Sequence, residues 1–202
     1  MSSPPRATTT AQRRRVILDA ALMCFVQQGV TKTTLATVRA RAHVSTGSLY
    51  HHFPSKTHLA AALYIEGLRQ AQHSVLSRVM RQRQAAAGIR AMVQAYLDWV
   101  QTQPEYALFL LTHRQAEFIQ HVEAEVATLN ADFQAQLATW VAPHVQAGVL
   151  PRFSSDLYGA LIVGPCEYCA RHWLMGDRQL RALVQLKRQL AKAAVPALQA
   201  LC

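Results

Sequence analysis

The sequence predicts an all-α protein with a small N-terminal three-helix unit followed by a larger helical body. Apolar residues recur at spacings of three and four along most of the 202 residues, as they do on the buried faces of helices. No useful length of chain alternates apolar and polar residues, which is the pattern of a β-strand. The formal net charge of +10 is also concentrated near the N-terminus, which separates a cationic first quarter from the rest.

The first helix is predicted over residues 13–29, after a polar tail that we expect to be disordered over residues 1–12. Its apolar side carries Ile17, Ala20 and Phe25 at helical spacing, and a glycine ends it. Cys24 lies on the apolar side of this helix and is expected in the core. Together with the two helices that follow, it makes a first domain over residues 13–58.

Residues 33–56 predict two short helices joined by a tight turn. Thr34 and Ser45 are placed to cap these helices, because a hydroxyl can accept a free backbone N–H of the first turn. The second helix buries Leu49 and Phe53 and ends at the proline that follows. This arrangement is a helix-turn-helix, which places its second helix in the major groove of DNA.

An ordinary helical hairpin with a solvated polar face would share this spacing, and the charge distribution favours DNA binding over that alternative. Residues 1–58 hold eight Lys and Arg residues against the single acid Asp19, an excess of seven. Residues 59–202 hold 13 Lys and Arg residues and ten acids, an excess of only three. A cationic excess confined to one small domain is typical of a polyanion partner.

Residues 13–60 resemble the DNA-binding domain of the TetR (tetracycline-repressor) family of bacterial transcription regulators. The resemblance rests on the layout of the first helix and on the ordered string VSTGSLYHHF followed by PSK. Two positions depart from the family: Arg39 replaces a small alanine at the helix crossing, and His43 replaces the turn glycine. The resemblance implies that Thr46 and Gly47 lie closest to the base edges. The DNA-binding residues that it implies are Thr34, Ser45, Thr46, Gly47, Ser48, Tyr50, His51, His52 and Lys56.

The recognition helix offers no Arg, Asn or Gln for a bidentate base contact. We therefore expect thymine methyl contacts and DNA shape to carry much of the sequence specificity. The run Arg13-Arg14-Arg15 has two interpretations, a solvated helix start or a contact to the DNA backbone or minor groove.

The remaining two thirds, residues 59–202, predict a second helical domain for ligand binding and dimerisation. Its helices are expected over residues 55–81, 89–101, 105–112, 117–145 with a break near Pro143, 155–175 and 177–201. The last two are apolar on more than one face, which predicts a homodimer, with an ordinary intrachain core as the alternative. TetR relatives dimerise through their last two long helices, and a two-fold dimer implies a near-palindromic operator.

Large aromatic side chains in this second domain predict a pocket for a small hydrophobic effector, with core filling as the alternative. The residues expected to line it are Tyr96, Trp99, Phe109, His113, Trp140, Tyr168 and Trp173. The motif Cys166-x-x-Cys169 with His172 allows structural packing, a thiol sensor or a zinc site, of which we favour packing. No metal and no cofactor are predicted.

Enzyme activity is not expected, because no nucleophile, phosphate-binding or metal-protease motif is present. Neither a signal peptide nor a membrane-spanning stretch is apparent, which predicts a cytoplasmic protein. The sequence thus indicates a ligand-responsive, sequence-specific transcriptional regulator, a homodimeric repressor that an effector releases from its operator. The alternatives are a transcriptional activator and a non-specific nucleoid-type DNA-binding protein.

Overall fold

A computed structural model of the chain describes residues 9–176 and 180–200, and every regular element in these ranges is helical. This confirms the predicted all-α class. The α-helices are α1 (Thr10–Gln28), α2 (Leu35–Ala42), α3 (Thr46–His52), α4 (Lys56–Val79), α5 (Ala85–Thr102), α6 (Pro104–Thr112), α7 (Glu123–Gln146), α8 (Ser155–Tyr158), α9 (Gly164–Met175) and α10 (Leu180–Gln199). A 3₁₀ segment, Glu117–Val122, precedes α7, and a π-helical segment, Gly159–Val163, joins α8 to α9.

Helices α1 to α3 form a head around a small apolar core. Its central side chains, all nearly inaccessible to solvent, are Ile17, Phe25, Val38, Leu49 and Phe53. Both predicted caps are present. The Thr37 N–H donates to the Thr34 hydroxyl at 3.1 Å, and the Ser48 N–H donates to the Ser45 hydroxyl at 3.2 Å.

The start of α1 differs from the predicted disordered tail over residues 1–12. Thr9 caps the helix, and α1 begins at Thr10. The Thr9 hydroxyl accepts from the Gln12 N–H while the Gln12 side chain accepts from the Thr9 N–H, and this reciprocal pair stabilises a first turn that apolar spacing does not reveal. Residues 1–8 of the predicted tail lie outside the described residues.

The turn between α2 and α3 depends on His43, which adopts a left-handed conformation with φ of 53°. Its backbone N–H donates to the Ala40 carbonyl at 3.3 Å and so closes the end of α2. A side chain pays a modest cost in this region compared with glycine. The turn therefore keeps its shape although the glycine usual in the family is missing.

Helix α4 leaves the head at its Ser55 cap and runs through the body as far as Val79. It packs against α5, α6 and α7. Gly67 lets α4 approach α6 closely, because a Cβ at this position would lie 3.3 Å from the Tyr106 ring. One continuous helix therefore connects the head to the centre of the body.

Three of the predicted body helices differ from the sequence prediction, and one of them, over residues 155–175, divides into α8, the π-helical segment and α9. Helix α5 begins at Ala85, four residues before the predicted start. Residues 117–145 divide into the 3₁₀ segment and α7, and α7 continues through Pro143 without the expected break. Pro143 lies in the last turn, so only three helical residues follow the hydrogen bond and the ring contact that the proline disturbs. In the described part of the chain, no helix is long and apolar enough to cross a membrane.

Helix α10 packs on α5 and α9, and its contacts include an ion-pair triad. The Asp98 carboxylate accepts from both Arg78 of α4 and Lys187 of α10. The inner side of α10 joins the intrachain core, since Leu183 and Leu198 are fully buried. The predicted residues 177–179 of this helix lie outside the described residues.

Candidate nucleic-acid interface and cavity

The outer face of α3 is open to solvent and polar. Ser45, Thr46, Gly47 and His51 are exposed, and the Tyr50 side chain keeps 51% of its surface exposed. A Cβ built at Gly47 would meet nothing within 4 Å, so a DNA backbone or base edge could approach this position closely. Most of the residues predicted to contact DNA thus share one free surface.

The remaining predicted DNA contacts lie at the edges of this surface. Thr34 is exposed beside Thr37, and their hydroxyls are 2.9 Å apart. Ser48 and His52 are half-buried on α3. A helix N-terminus such as that of α2 leaves free backbone N–H groups that suit phosphate oxygens.

Lys56 has contacts that the sequence did not indicate. Its ammonium donates to the carbonyl oxygens of Thr31 at 2.9 Å and Thr33 at 3.0 Å. Thr33 is itself buried, and its hydroxyl donates to the Gly29 carbonyl at 2.8 Å. Lys56 therefore ties the start of α4 to the loop before α2, and its predicted phosphate contact stays a prediction.

A cavity of about 760 Å³ lies in the body between α7 and the chain from α8 to α9. Apolar residues of both elements form most of its wall, among them Phe133, Leu137, Val141, Ile162 and Val163. The π-helical segment contributes the small residues Gly159 and Ala160 to the same wall. π-helical segments occur often at functional sites, and small residues here leave room for a ligand.

Charged residues also line this cavity. The Arg114 guanidinium donates to the Glu167 carboxylate through two hydrogen bonds, of 3.1 Å and 2.9 Å. Arg152 and Asp156 lie in the lining as well, so the four charges sum to zero. A mainly apolar cavity with a few polar groups suits a small ligand with a largely hydrophobic body.

The seven aromatic and histidine residues predicted to bind ligand are not among the residues that line the cavity. Tyr96 and Trp99 are buried in the core, and the Trp99 indole N–H has no acceptor among the described residues. His113 stacks on Phe109 with ring centroids 4.4 Å apart. These four side chains have packing partners of their own, so a ligand role for them stays a prediction.

The other three predicted ligand residues lie on two helices, Trp140 on α7 and Tyr168 and Trp173 on α9. The Trp140 indole is buried, donates to the Gln82 carbonyl at 2.8 Å and lies directly against Gly88, where a Cβ would overlap it. Tyr168 is 66% exposed, and Trp173 is half-buried. The sequence signal of large side chains therefore did not indicate where the open space lies.

Cys166 and Cys169 occupy successive turns of α9 as free thiols. Cys166 is buried, its thiol donates to the Ile162 carbonyl at 3.1 Å, and burial raises its pKa to about 12. Burial also raises the pKa of Cys169. A thiol with a raised pKa is a poor nucleophile and metal ligand at neutral pH. Within the described residues, no three His, Cys, Asp or Glu side chains form a group that could hold a metal.

The three-helix head with an exposed polar recognition helix defines a DNA-binding transcriptional regulator. Residues 17–63 match the sequence model of the family described as bacterial regulatory proteins, tetR family. The chain is 32% identical over 151 residues to the HTH-type transcriptional regulator BetI of Paraburkholderia xenovorans. The aligned region covers 68% of this chain and 75% of that protein. The chain therefore belongs to the TetR family of bacterial regulatory proteins.

Two further similarities agree with this assignment. The chain is 26% identical to the probable acrEF/envCD operon repressor of Escherichia coli K12, over 80% of this chain and 76% of that one. The transcriptional regulator FadR of Bacillus subtilis, solved in complex with stearoyl-CoA, superposes with a TM-score of 0.76 at 17% identity, over 90% of this chain and 97% of that chain. At that identity the second similarity concerns the fold alone.

Proposed function

We propose that this protein is a homodimeric repressor that binds a near-palindromic operator and is released by a small hydrophobic effector. In this proposal residues 13–58 read the DNA, and residues 59–202 bind the effector and form the dimer. The observation that carries it is the exposed polar face of α3 on a cationic head, joined by one rigid helix to a body with an apolar cavity.

The DNA contacts in this proposal follow from the free face of α3. Thr46 and Gly47 would approach the base edges, while Tyr50, His51 and the hydroxyls at the starts of α2 and α3 would contact phosphates. The chain's relative in Escherichia coli is named a repressor, which supports repression as the mode of action.

The effector would occupy the cavity between α7 and α9. Its volume of about 760 Å³ and its apolar wall suit a small hydrophobic molecule. A protein of the same fold, FadR of Bacillus subtilis, holds a molecule with a long acyl chain, which supports an apolar ligand for this type of body.

Helix α6 connects this cavity to the head. Two contacts hold α6 to α9. Arg114, just after α6, pairs with Glu167 of α9. Arg171 of α9 donates to the Leu111 carbonyl of α6 at 3.0 Å. On the other side Phe109 stacks on Phe25 of α1 with ring centroids 5.9 Å apart. A ligand that shifts α9 would therefore move the contact between α6 and the head. The ligand would favour the protein conformation for which it has the higher affinity, and with it the spacing of the two heads in that conformation.

The dimer in this proposal forms through α9 and the outer face of α10. Tyr168 and Met175 are large apolar side chains of α9 that are each 66% exposed in the single chain. Exposed apolar residues on the same helix are typical of a subunit interface. A two-fold axis between such helices would present two copies of α3 to two half-sites about one DNA turn apart.

The effector part of the proposal can be tested by filling the cavity. We expect compounds from a library of small hydrophobic molecules to raise the thermal unfolding midpoint of the wild-type protein, and to release it from a DNA duplex selected for binding. Ala160→Trp should abolish both effects, because Ala160 lines the cavity. Ala135→Trp is the matched control, since Ala135 is exposed on α7 outside the lining. Equal responses in both variants would place the effector elsewhere.

A further inference from the structure

The contacts of Lys56 raise the question of which cations of the head are free to meet DNA phosphates. Lys56 is held by two backbone carbonyls, as described above. Three arginines, Arg13 to Arg15, lie in the first half of α1 and precede residues 17–63, which match the family. Their surroundings differ from one residue to the next.

Arg15 is directed at the protein itself. Its guanidinium pairs with Asp19 at 3.0 Å on the same helix and with Glu66 of α4 at 3.2 Å. Two carboxylates therefore compensate its charge, and it links α1 to the long helix α4.

Arg14 is positioned at the end of the recognition helix. Its guanidinium lies over the Phe53 ring, 5.3 Å from the ring centroid, and Phe53 is the residue that ends α3. A guanidinium stacked on an aromatic ring keeps its edge N–H groups free to donate. The stacking thus holds the Arg14 charge in place without using its hydrogen-bond donors.

Arg13 is exposed and has no ion-pair partner among the described residues. The charges of Arg13 and Arg14 both act on the His52 imidazole in the last turn of α3. Burial lowers the pKa of the His52 imidazole, and the charges of His51, Arg14 and Arg13 lower it further. Arg14 therefore stands at the end of the recognition helix, and Arg13 precedes it in the first turn of α1 with an exposed side chain.

We infer that Arg13 and Arg14 extend the DNA-binding surface beyond the helix-turn-helix and bind phosphates of the duplex backbone next to the groove that α3 enters. This inference rests on the proposed DNA binding. A guanidinium matches the geometry of a phosphate and can donate two hydrogen bonds to it. Neither arginine has a carboxylate partner among the described residues, whereas the Lys56 ammonium is held by two backbone carbonyls.

The test is the salt dependence of binding to a DNA duplex of random sequence, measured by fluorescence anisotropy. Each phosphate contact contributes about 0.9 to the slope of log affinity against log salt concentration. Arg13→Gln and Arg14→Gln should each lower the steepness of this slope by about 0.9, and the double variant by about twice as much. Such duplexes require no knowledge of the operator.

Arg15→Gln is the matched control, because it removes the same charge from the same helix turn. Its slope should equal that of the wild type. Equal loss of slope in all three variants, or no loss in the first two, would overturn the inference. A wild-type protein that does not bind duplex DNA at all would instead overturn the proposed function, and the inference with it. A cooperative thermal unfolding transition above the assay temperature would show that each variant is folded.

Discussion

At the scale of single residues, the head is held by two kinds of hydrogen bond, helix caps between neighbouring residues and the Lys56 contacts between distant ones. The Thr34 and Ser45 caps join groups three residues apart, so the sequence displays both partners together. The partners of Lys56 lie 23 and 25 residues before it, and both are backbone carbonyls that no side-chain pattern reveals. The sequence therefore does not reveal the structural contacts of Lys56, and its phosphate contact stays a prediction.

The Lys56 contacts predict a role in stability. We expect Lys56→Gln to lower the free energy of unfolding by about 1–2 kcal/mol, because two charge-assisted hydrogen bonds are lost or weakened. Urea denaturation measures this change. Lys32→Gln is the control, since Lys32 is exposed in the same loop region. If both variants were as stable as the wild type, the Lys56 ammonium would be free and its predicted phosphate contact would be its main role.

At the scale of secondary-structure elements, apolar spacing predicted where the helices lie, but it did not predict where the cavity between them lies. Trp140 fills its site because Gly88 has no side chain there, and Phe109 is covered by the rings of Phe25 and His113. Large aromatic residues thus complete the core. The cavity forms beside the π-helical segment that precedes α9, where the residues Gly159 and Ala160 are small. A single sequence carries little signal for π-helical geometry or for the space that small residues leave.

The Asp98 triad predicts a pH-dependent contribution to the packing of α4, α5 and α10. Burial acts to raise the pKa of the Asp98 carboxyl, but hydrogen bonds from Lys187 and Arg78 outweigh it and hold the pKa below its ordinary value of 3.8. Because the folded-state pKa is the lower one, the stabilisation is complete above the ordinary value. It is lost as the pH falls through the lowered pKa.

Urea denaturation across a series of acidic pH values tests this contribution. We expect the wild type to lose unfolding free energy as the pH falls below the ordinary carboxyl pKa, and Asp98→Asn to lose less over the same range while being less stable at neutral pH. Asp132→Asn is the control, as Asp132 is an exposed carboxyl on α7. Identical pH profiles for wild type and Asp98→Asn would show that the triad contributes nothing.

At the scale of the whole molecule, the single chain covers one side of the last two helices and leaves other apolar residues exposed. Leu183 and Leu198 of α10 and Ile162 before α9 are buried within the single chain. The large apolar residues that stay exposed in this region are Leu157 of α8 and Tyr168 and Met175 of α9. Apolar spacing identifies two faces on a helix, but it does not say which face the chain itself covers.

This distribution predicts the effect of charge on the proposed dimer. We expect Tyr168→Glu to convert a dimer to a monomer in sedimentation velocity, because the new carboxylate would be buried without a partner in the interface. Met80→Glu is the control, as Met80 is an exposed apolar residue at the end of α4, far along the chain from α9. A Tyr168→Glu protein that sediments as the wild type does would remove α9 from the interface.

The central claim is that the exposed face of α3 reads duplex DNA in a sequence-dependent way. The most direct measurement is selection of binding sites from a random DNA library, with the wild type and Tyr50→Ala in parallel. Tyr50 is exposed, so its truncation should leave folding and oligomeric state intact. We predict that the wild type enriches one near-palindromic sequence with half-sites about one helical turn apart, and that Tyr50→Ala enriches none. Enrichment of no sequence by the wild type, or of the same sequence equally well by both proteins, would contradict the claim.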